Sequence, residues 1–375
     1  MKIGIKAYGS SIPQFRLPIE ETQKVWRNAM LKLLKHQLFI NERAVTGPGQ
    51  NAISLAVEAA RRALQHAGAD ASDIDGLIMG SCTNPASYHP QGIEVARALG
   101  AGDRLFSTDI QFSTKSGTSA IQLGYALVRS KRADNVLAIG SDTLNRMTAP
   151  GTMAEYAASA GAGAVLLGSH QVIAEIEGTQ SYNTDLSDEF RLNGEQHIRS
   201  GGFQSLAAAL DSGFGIKHHI VAAVSSFLEE QSLEPADFAY VVFQQPYGIV
   251  PFSLGEALQF DLSKITPSNT AYELGNCGSA SVMLGLACVL DIAKPDDRIL
   301  VASYGSGAGS DVISLKVTSE IMKKKGPARP VEDLISDRQL LDYATAMIYE
   351  GKIYRSHLHH SISGCDGLRK QGGGE

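Results

Sequence analysis

Apolar and polar residues alternate from Met1 to Gly9 (MKIGIKAYG) and the pattern stops at a glycine, which predicts a strand. Between residues 52 and 67 the period changes. Ile53, Ala56, Ala59, Ala60, Ala63 and Leu64 recur at helical spacing with Arg61 and Arg62 turned away, and Gly68 supplies a stop. Short apolar runs predict buried strands over 74–80 (IDGLIMG), 107–112, 135–142 (NVLAIGSD) and 161–168 (GAGAVLLG), with a helix of small residues over 114–129. The far half repeats this order: helix 216–231, strand 238–243, helix 277–292, strands 298–303 and 311–317. GTSAIQLG (117–124) lines up with GSASVMLG (278–285), and each is followed, after a charged turn, by an apolar strand. A duplicated βα unit explains helix, turn and strand recurring in order.

Composition narrows the class. With 375 residues, 43% hydrophobic and 19% charged, the chain is an ordinary globular protein of about two units. A net charge of −6 leaves no basic surplus for nucleic acid. The four cysteines (Cys82, Cys277, Cys288, Cys365) show neither C-x-x-C nor metal spacing. No run of apolar residues is long enough to span a bilayer, so a cytoplasmic protein without nucleic-acid or membrane partners is expected. After the charged break at 323–329, residues 331–350 read as a helix or an extended arm. The end at 371–375 reads as disordered, and His357, His359 and His360 as part of a solvated tail.

Two loops have the makings of a site. In Phe112-Ser-Thr-Lys-Ser-Gly-Thr118 an apolar strand runs straight into a helix, where free N–H groups favour developing negative charge. In Tyr304-Gly-Ser-Gly-Ala-Gly-Ser310 the glycines let backbone approach a ligand. One N–H from each, with Thr114 and Ser306 as the candidates, would make an oxyanion hole.

These loops lie within motifs that resemble the thiolase superfamily, in the branch of ketoacyl synthase III and hydroxymethylglutaryl-CoA synthase. The motifs are AVEAARRALQHAGADASDIDGLIMGS (56–81), QFSTKSGTSAIQ (111–122), LAIGSDT (137–143), AEYAASAGAGAVLLG (154–168), GNCGSASVMLGL (275–286) and SYGSGAGSDVISLKV (303–317). The resemblance implies an α/β thiolase-like fold: two duplicated βαβαβαββ halves in five layers (α-β-α-β-α). They would cover residues 1–175 and 176–320, followed by a C-terminal extension over 321–375. Including its tail DYATAMIYEGKIYR (342–355), the chain looks closest to the ketoacyl-synthase-III-like subunits of diacetylphloroglucinol-type acyltransferase complexes. That implies a homodimer working with a thiolase-type catalytic subunit and a small OB-fold, zinc-ribbon bridging protein, in acetyl transfer to a phloroglucinol-type phenol. No bound cofactor is expected, and the substrate would be an acyl-CoA-type thioester.

The chain departs from the family where the chemistry sits. The family's nucleophilic cysteine falls on Thr114, its histidine on Gln244, and the synthase glutamate on Cys82; the asparagine is kept as Asn276. A threonine hydroxyl needs an adjacent base to attack a thioester, and an amide cannot accept the proton. The pocket is therefore expected to be a relic and the chain an inactive subunit. The alternatives are an autonomous hydroxymethylglutaryl-CoA-synthase-like acyltransferase using Cys82 or Cys277, or a non-catalytic acyl-CoA-binding module. Cys82 and Cys277 are otherwise packing residues, and Cys288 is core. His89 is a candidate to line the pocket, and Lys115 a contact for pantetheine or phosphate or a surface cap. His218 and His219 carry no assignment beyond facing different ways on one helix.

Overall fold

The computed structural model describes residues 2–86, 88–200, 215–324 and 329–353. The histidines at 357–360, Cys365 and the expected disordered end lie outside the described residues. Nine strands form one mixed sheet: β1 (Gly4–Ser11), β2 (Gly76–Gly80), β3 (Phe106–Ile110), β4 (Val136–Thr143), β5 (Ala160–Gly168), β6 (Ala174–Leu186), β7 (Tyr240–Phe243), β8 (Arg298–Gly305) and β9 (Gly307–Val317). Their order is β7-β8-β9-β6-β1-β5-β4-β2-β3. Within this sheet the two halves join where Gly4 faces Glu175 and Ile5 faces Ala174. A side chain at Gly4 would overlap the Ala174 carbonyl, so the close approach requires glycine.

Four long helices complete the layers: α1 (Ala52–Ala67), α2 (Ser116–Arg129), α3 (Ile216–Gln231) and α4 (Ser281–Ile292). Alternation along each strand decides which core a residue enters. On β2, Leu77 and Met79 join α1 in an outer core, whereas Ile78 points inward to a central core with Ala120 and Ile121 of α2 and Leu284 and Val289 of α4. In the second half Val241, Phe243, Leu300 and Val312 pack against Ile220, Val224 and Phe227 of α3. With the two halves of the one sheet on either side of α2 and α4 and with α1 and α3 outside them, the result is helix–sheet–helix–sheet–helix, the thiolase-like α/β arrangement of five layers. The repeat differs in one respect: among the described residues the second half has no counterpart of β3. Its chain runs instead through short turns at Leu262–Lys264 and Thr266–Ser268.

Helix α1 shows why the local reading succeeds. Asn51 accepts the Ser54 N–H at 3.0 Å while Ser54 Oγ accepts the Asn51 N–H at 2.9 Å, a capping box contributing about 1 kcal/mol. Gly68 ends the helix in the left-handed region at φ 66°. Its alanines let it lie so close to β1 that a Cβ at Gly9 would overlap the Ala59 carbonyl.

The C-terminal segment is both arm and helix. Gln339–Leu340 pair in parallel with Phe15 and Arg16 at the edge of a small sheet completed by Glu42–Val45. Residues Tyr343–Tyr349 then form a helix that buries Ala346 and Met347 against Leu17 and Val45. No helix among the described residues is long and apolar enough to cross a membrane.

Candidate active site

Thr114 lies between β3 and α2, just after Ser113, whose φ of 46° turns the chain sharply. Its hydroxyl donates to the Tyr304 carbonyl at 2.6 Å. Among the described residues no histidine or carboxylate bonds to it. Lys115 does not point toward a ligand, nor does it cap a surface. It is buried, its Nζ is 2.8 Å from Asp311 Oδ1 and lies 4.1 Å from the centre of the Phe112 ring. Asp311 also accepts the hydroxyls of Thr118, Ser119 and Ser181. The lysine thus ties the loop to β9, a role hidden in sequence because its partner is 196 residues away.

The turn at Gly278 and Ser279 draws the other candidates together. Gln244 Nε2 donates to the Gly278 carbonyl at 3.2 Å, and the Gly278 N–H donates to Asn276 Oδ1 at 3.0 Å. Ser279 Oγ donates to the Ser113 carbonyl at 3.2 Å, linking this turn to the Thr114 loop. The Ser279 N–H donates to Asp142 Oδ2 at 2.7 Å. Asp142, fully buried at the end of β4, also accepts the Cys82 N–H at 2.8 Å, the Thr83 hydroxyl at 2.8 Å and the Ser81 hydroxyl at 2.9 Å. Thr114, Gln244, Asn276 and Cys82 are therefore neighbours through a hydrogen-bonded frame whose hub, Asp142, the sequence marked only as the last letter of GSD. The frame leaves Gln244 Oε1 buried without a hydrogen-bond partner.

The thiols are poor nucleophiles. Burial raises the Cys82 thiol well above its ordinary value, and the Asp142 carboxylate 3.3 Å from its sulfur adds to this. Burial pushes Cys277 up to about 11; its sulfur lies against Ser159 and the Ala160 carbonyl. Cys288 rises to about 12, chiefly by burial, on the face of α4 that packs on the central core. None is a thiolate at neutral pH, the form that attacks thioesters. His89 is turned to the surface, 3.0 Å from Glu94 and 58% exposed. His218 is exposed, but His219 is buried against the Tyr304 ring. Its ring nitrogens meet the Gly215 carbonyl at 2.7 Å and Thr184 Oγ1 at 2.8 Å, which leaves neither to deprotonate Thr114.

The glycine-rich loop holds a surprise. The Gly307 N–H donates to Asp188 Oδ1 at 3.1 Å, the Tyr304 hydroxyl donates to the same carboxylate, and Ser306 Oγ donates to Glu189 Oε2 at 3.3 Å. Glu189 is exposed along its short strand, yet protein crowding its carboxyl, with the Asp188 charge adding, pulls it upward, to about 7. An oxyanion hole presents donors to developing negative charge, so the Asp188 carboxylate beside this loop weighs against Ser306 as a donor. The polar stretch NTDLSDEF gave no sequence signal for these two residues.

With fold and site in place, likeness to known proteins becomes informative. Residues 47–170 match the thiolase N-terminal domain. The hydroxymethylglutaryl-CoA synthase of Methanosphaera stadtmanae is 38% identical over 351 residues, which is 93% of this chain and 99% of that protein. That of Methanocella arvoryzae is 38% identical over 353 residues, covering 94% and 99%. Among solved structures, an HMG-CoA synthase complexed with CoA superposes with a TM-score of 0.81 at 20% identity, covering 92% of this chain and 89% of that one. The 3-oxoacyl-(acyl carrier protein) synthase III of Aquifex aeolicus superposes at 0.74 with 21% identity, covering 84% and 99%. The chain belongs to the thiolase superfamily, in the ketoacyl synthase III and hydroxymethylglutaryl-CoA synthase branch of acyltransferases.

Proposed function

We propose that this chain handles acyl thioesters without forming an acyl-enzyme of its own, and serves in the cytoplasm as the ketoacyl-synthase-III-like subunit of a C-acyltransferase. One observation carries the reading. The hydroxyl at the strand-to-helix join is committed to the Tyr304 carbonyl, and the side chain bracing the adjacent turn is an amide, Gln244, which cannot serve as a base. A homodimer, a thiolase-type catalytic chain, an OB-fold zinc-ribbon protein and a phloroglucinol-type acceptor belong to this proposal. They rest on the resemblance of the motifs and of the tail at 342–355, and the relatives named above are synthases, not such subunits.

A second reading is favoured by those relatives. Identity of 38% over 93% of the chain supports an acyltransferase of the hydroxymethylglutaryl-CoA synthase type that works alone, and the comparisons support it better than the first. It requires a nucleophile, and the raised thiols of Cys82 and Cys277 speak against both candidates. The purified chain should be incubated with isotopically labelled acetyl-CoA and its peptides weighed. The first reading expects no adduct, and acyl transfer only when a thiolase-type chain is co-expressed. Label on Thr114, Cys82 or Cys277, with turnover by the chain alone, overturns it in favour of the second. Binding without turnover in any combination leaves an acyl-CoA-binding module instead.

A further inference from the structure

We propose that the C-terminal segment Gln339–Lys352 is a positioning strap for the candidate site, acting through Glu350 on the loop that carries Asn276. Glu350 is buried in an ion pair with Arg43, and their side chains are 0% and 1% exposed. Lys352 Nζ lies 2.9 Å from Glu350, and its side chain is buried as well. The Glu350 carboxylate also accepts from Asn145 Nδ2 at 3.2 Å. Two of its three partners lead to the same stretch of backbone by separate routes. Arg43 Nη1 donates to the Ala158 carbonyl at 3.3 Å, and the Asn145 N–H donates to the Ser159 carbonyl at 3.2 Å. That stretch in turn holds the site loop: the Asn276 N–H donates to the Ala157 carbonyl at 2.7 Å, and the Ser159 N–H donates to the Asn276 carbonyl at 3.0 Å. Arg43 also abuts Gly275, where any side chain would overlap the Ala157 carbonyl.

The strap is held by local contacts too. Tyr343 Oη donates to Glu155 at 2.9 Å and accepts from Trp26 Nε1 at 2.8 Å, while Asp342 caps the helix through the Thr345 N–H at 2.9 Å. These contacts do not run through Arg43 or Asn145. The strap can therefore be loosened in two ways, and only one of them removes the link to Asn276. Opposite charges removed from water and then left unpaired are far costlier than a lost surface cap, so Glu350 dominates the coupling.

Hydrogen exchange of the full chain, read by mass spectrometry for peptides covering 343–349 and 274–280, tests this. Glu350→Ala is expected to raise exchange at least tenfold in both peptides. Glu350→Gln, which keeps the shape and loses the charge, is expected to raise both by less and serves if the alanine variant does not fold. Asp342→Ala, which only removes the cap, is expected to raise exchange in 343–349 alone. Faster exchange in the strap with an unchanged 274–280 peptide in both Glu350 variants would overturn the proposal, as would an Asp342→Ala variant that loosens both peptides equally.

Discussion

Thr114→Cys combined with Gln244→His places a sulfur and an imidazole at the two positions where the proposed reading holds the family's own to be absent. Cysteine alone at 114 starts from a thiol pKa of about 8.5, so roughly 3% is thiolate at pH 7. Gln244 hangs from the Gly278 carbonyl, one residue from the serine that bonds to Ser113, so a histidine there is expected to reach the new thiol. Ionising the thiol fully gains about 30-fold, and a positioned base typically contributes about 100-fold or more in all. The assay is a mass-spectrometric time course of acyl adduct from acetyl-CoA at pH 7. Wild type and Gln244→His should stay blank, Thr114→Cys should label slowly, and the double variant should label about 100-fold faster than the single cysteine. Groups acting as a unit are not additive, so the histidine should help only when the cysteine is present. A wild type that labels as fast as the double variant refutes the reasoning. So does a histidine that adds nothing to the cysteine, because then residue 244 does not serve the hydroxyl's position.

Lys115→Met leaves the Asp311 carboxylate buried without its cation and should cost about 3–5 kcal/mol in urea denaturation. Asp142→Ala orphans the N–H groups of Cys82 and Ser279 and the hydroxyl proton of Thr83, which should cost about 3 kcal/mol or more by the same measurement. Glu189 binds its proton more tightly folded than unfolded, since its value of about 7 lies above the ordinary 4.5. Its contribution to stability is thus fully present below pH 4.5 and lost as pH rises through 7. Thermal melts across that window should show the loss in wild type and a flatter profile in Glu189→Gln. Phe106, 46% exposed on the edge strand β3, belongs to the face where the proposed homodimer would pair; Phe106→Lys should shift the chain toward monomer in light scattering.

Helices α1 and α3 are legible to the residue because their apolar period is local, and for α1 the stop at Gly68 agrees with it. Strand β6 was not legible: its sequence AEIEGTQSYNTDL is mostly polar and half-exposed, and it is a strand because β9 pairs with it along its length. The convergence of Thr114, Gln244, Asn276 and Cys82 followed from recognising the motifs, whereas the means of convergence did not. Asp142 acts on groups 59 to 137 residues distant, and Lys115 finds a carboxylate in the other half. Local pattern carries the elements; which charged residue meets which is settled only when the two halves close.

Asp142 separates contour from reactivity. The bonds that Asp142 gathers come from backbone N–H groups and from Ser81, Cys82 and Thr83, not from the side chains at 114 and 244, so those two positions can change while the walls stay where they are. A lineage holding such a frame is free to vary its reactive groups and keep its silhouette.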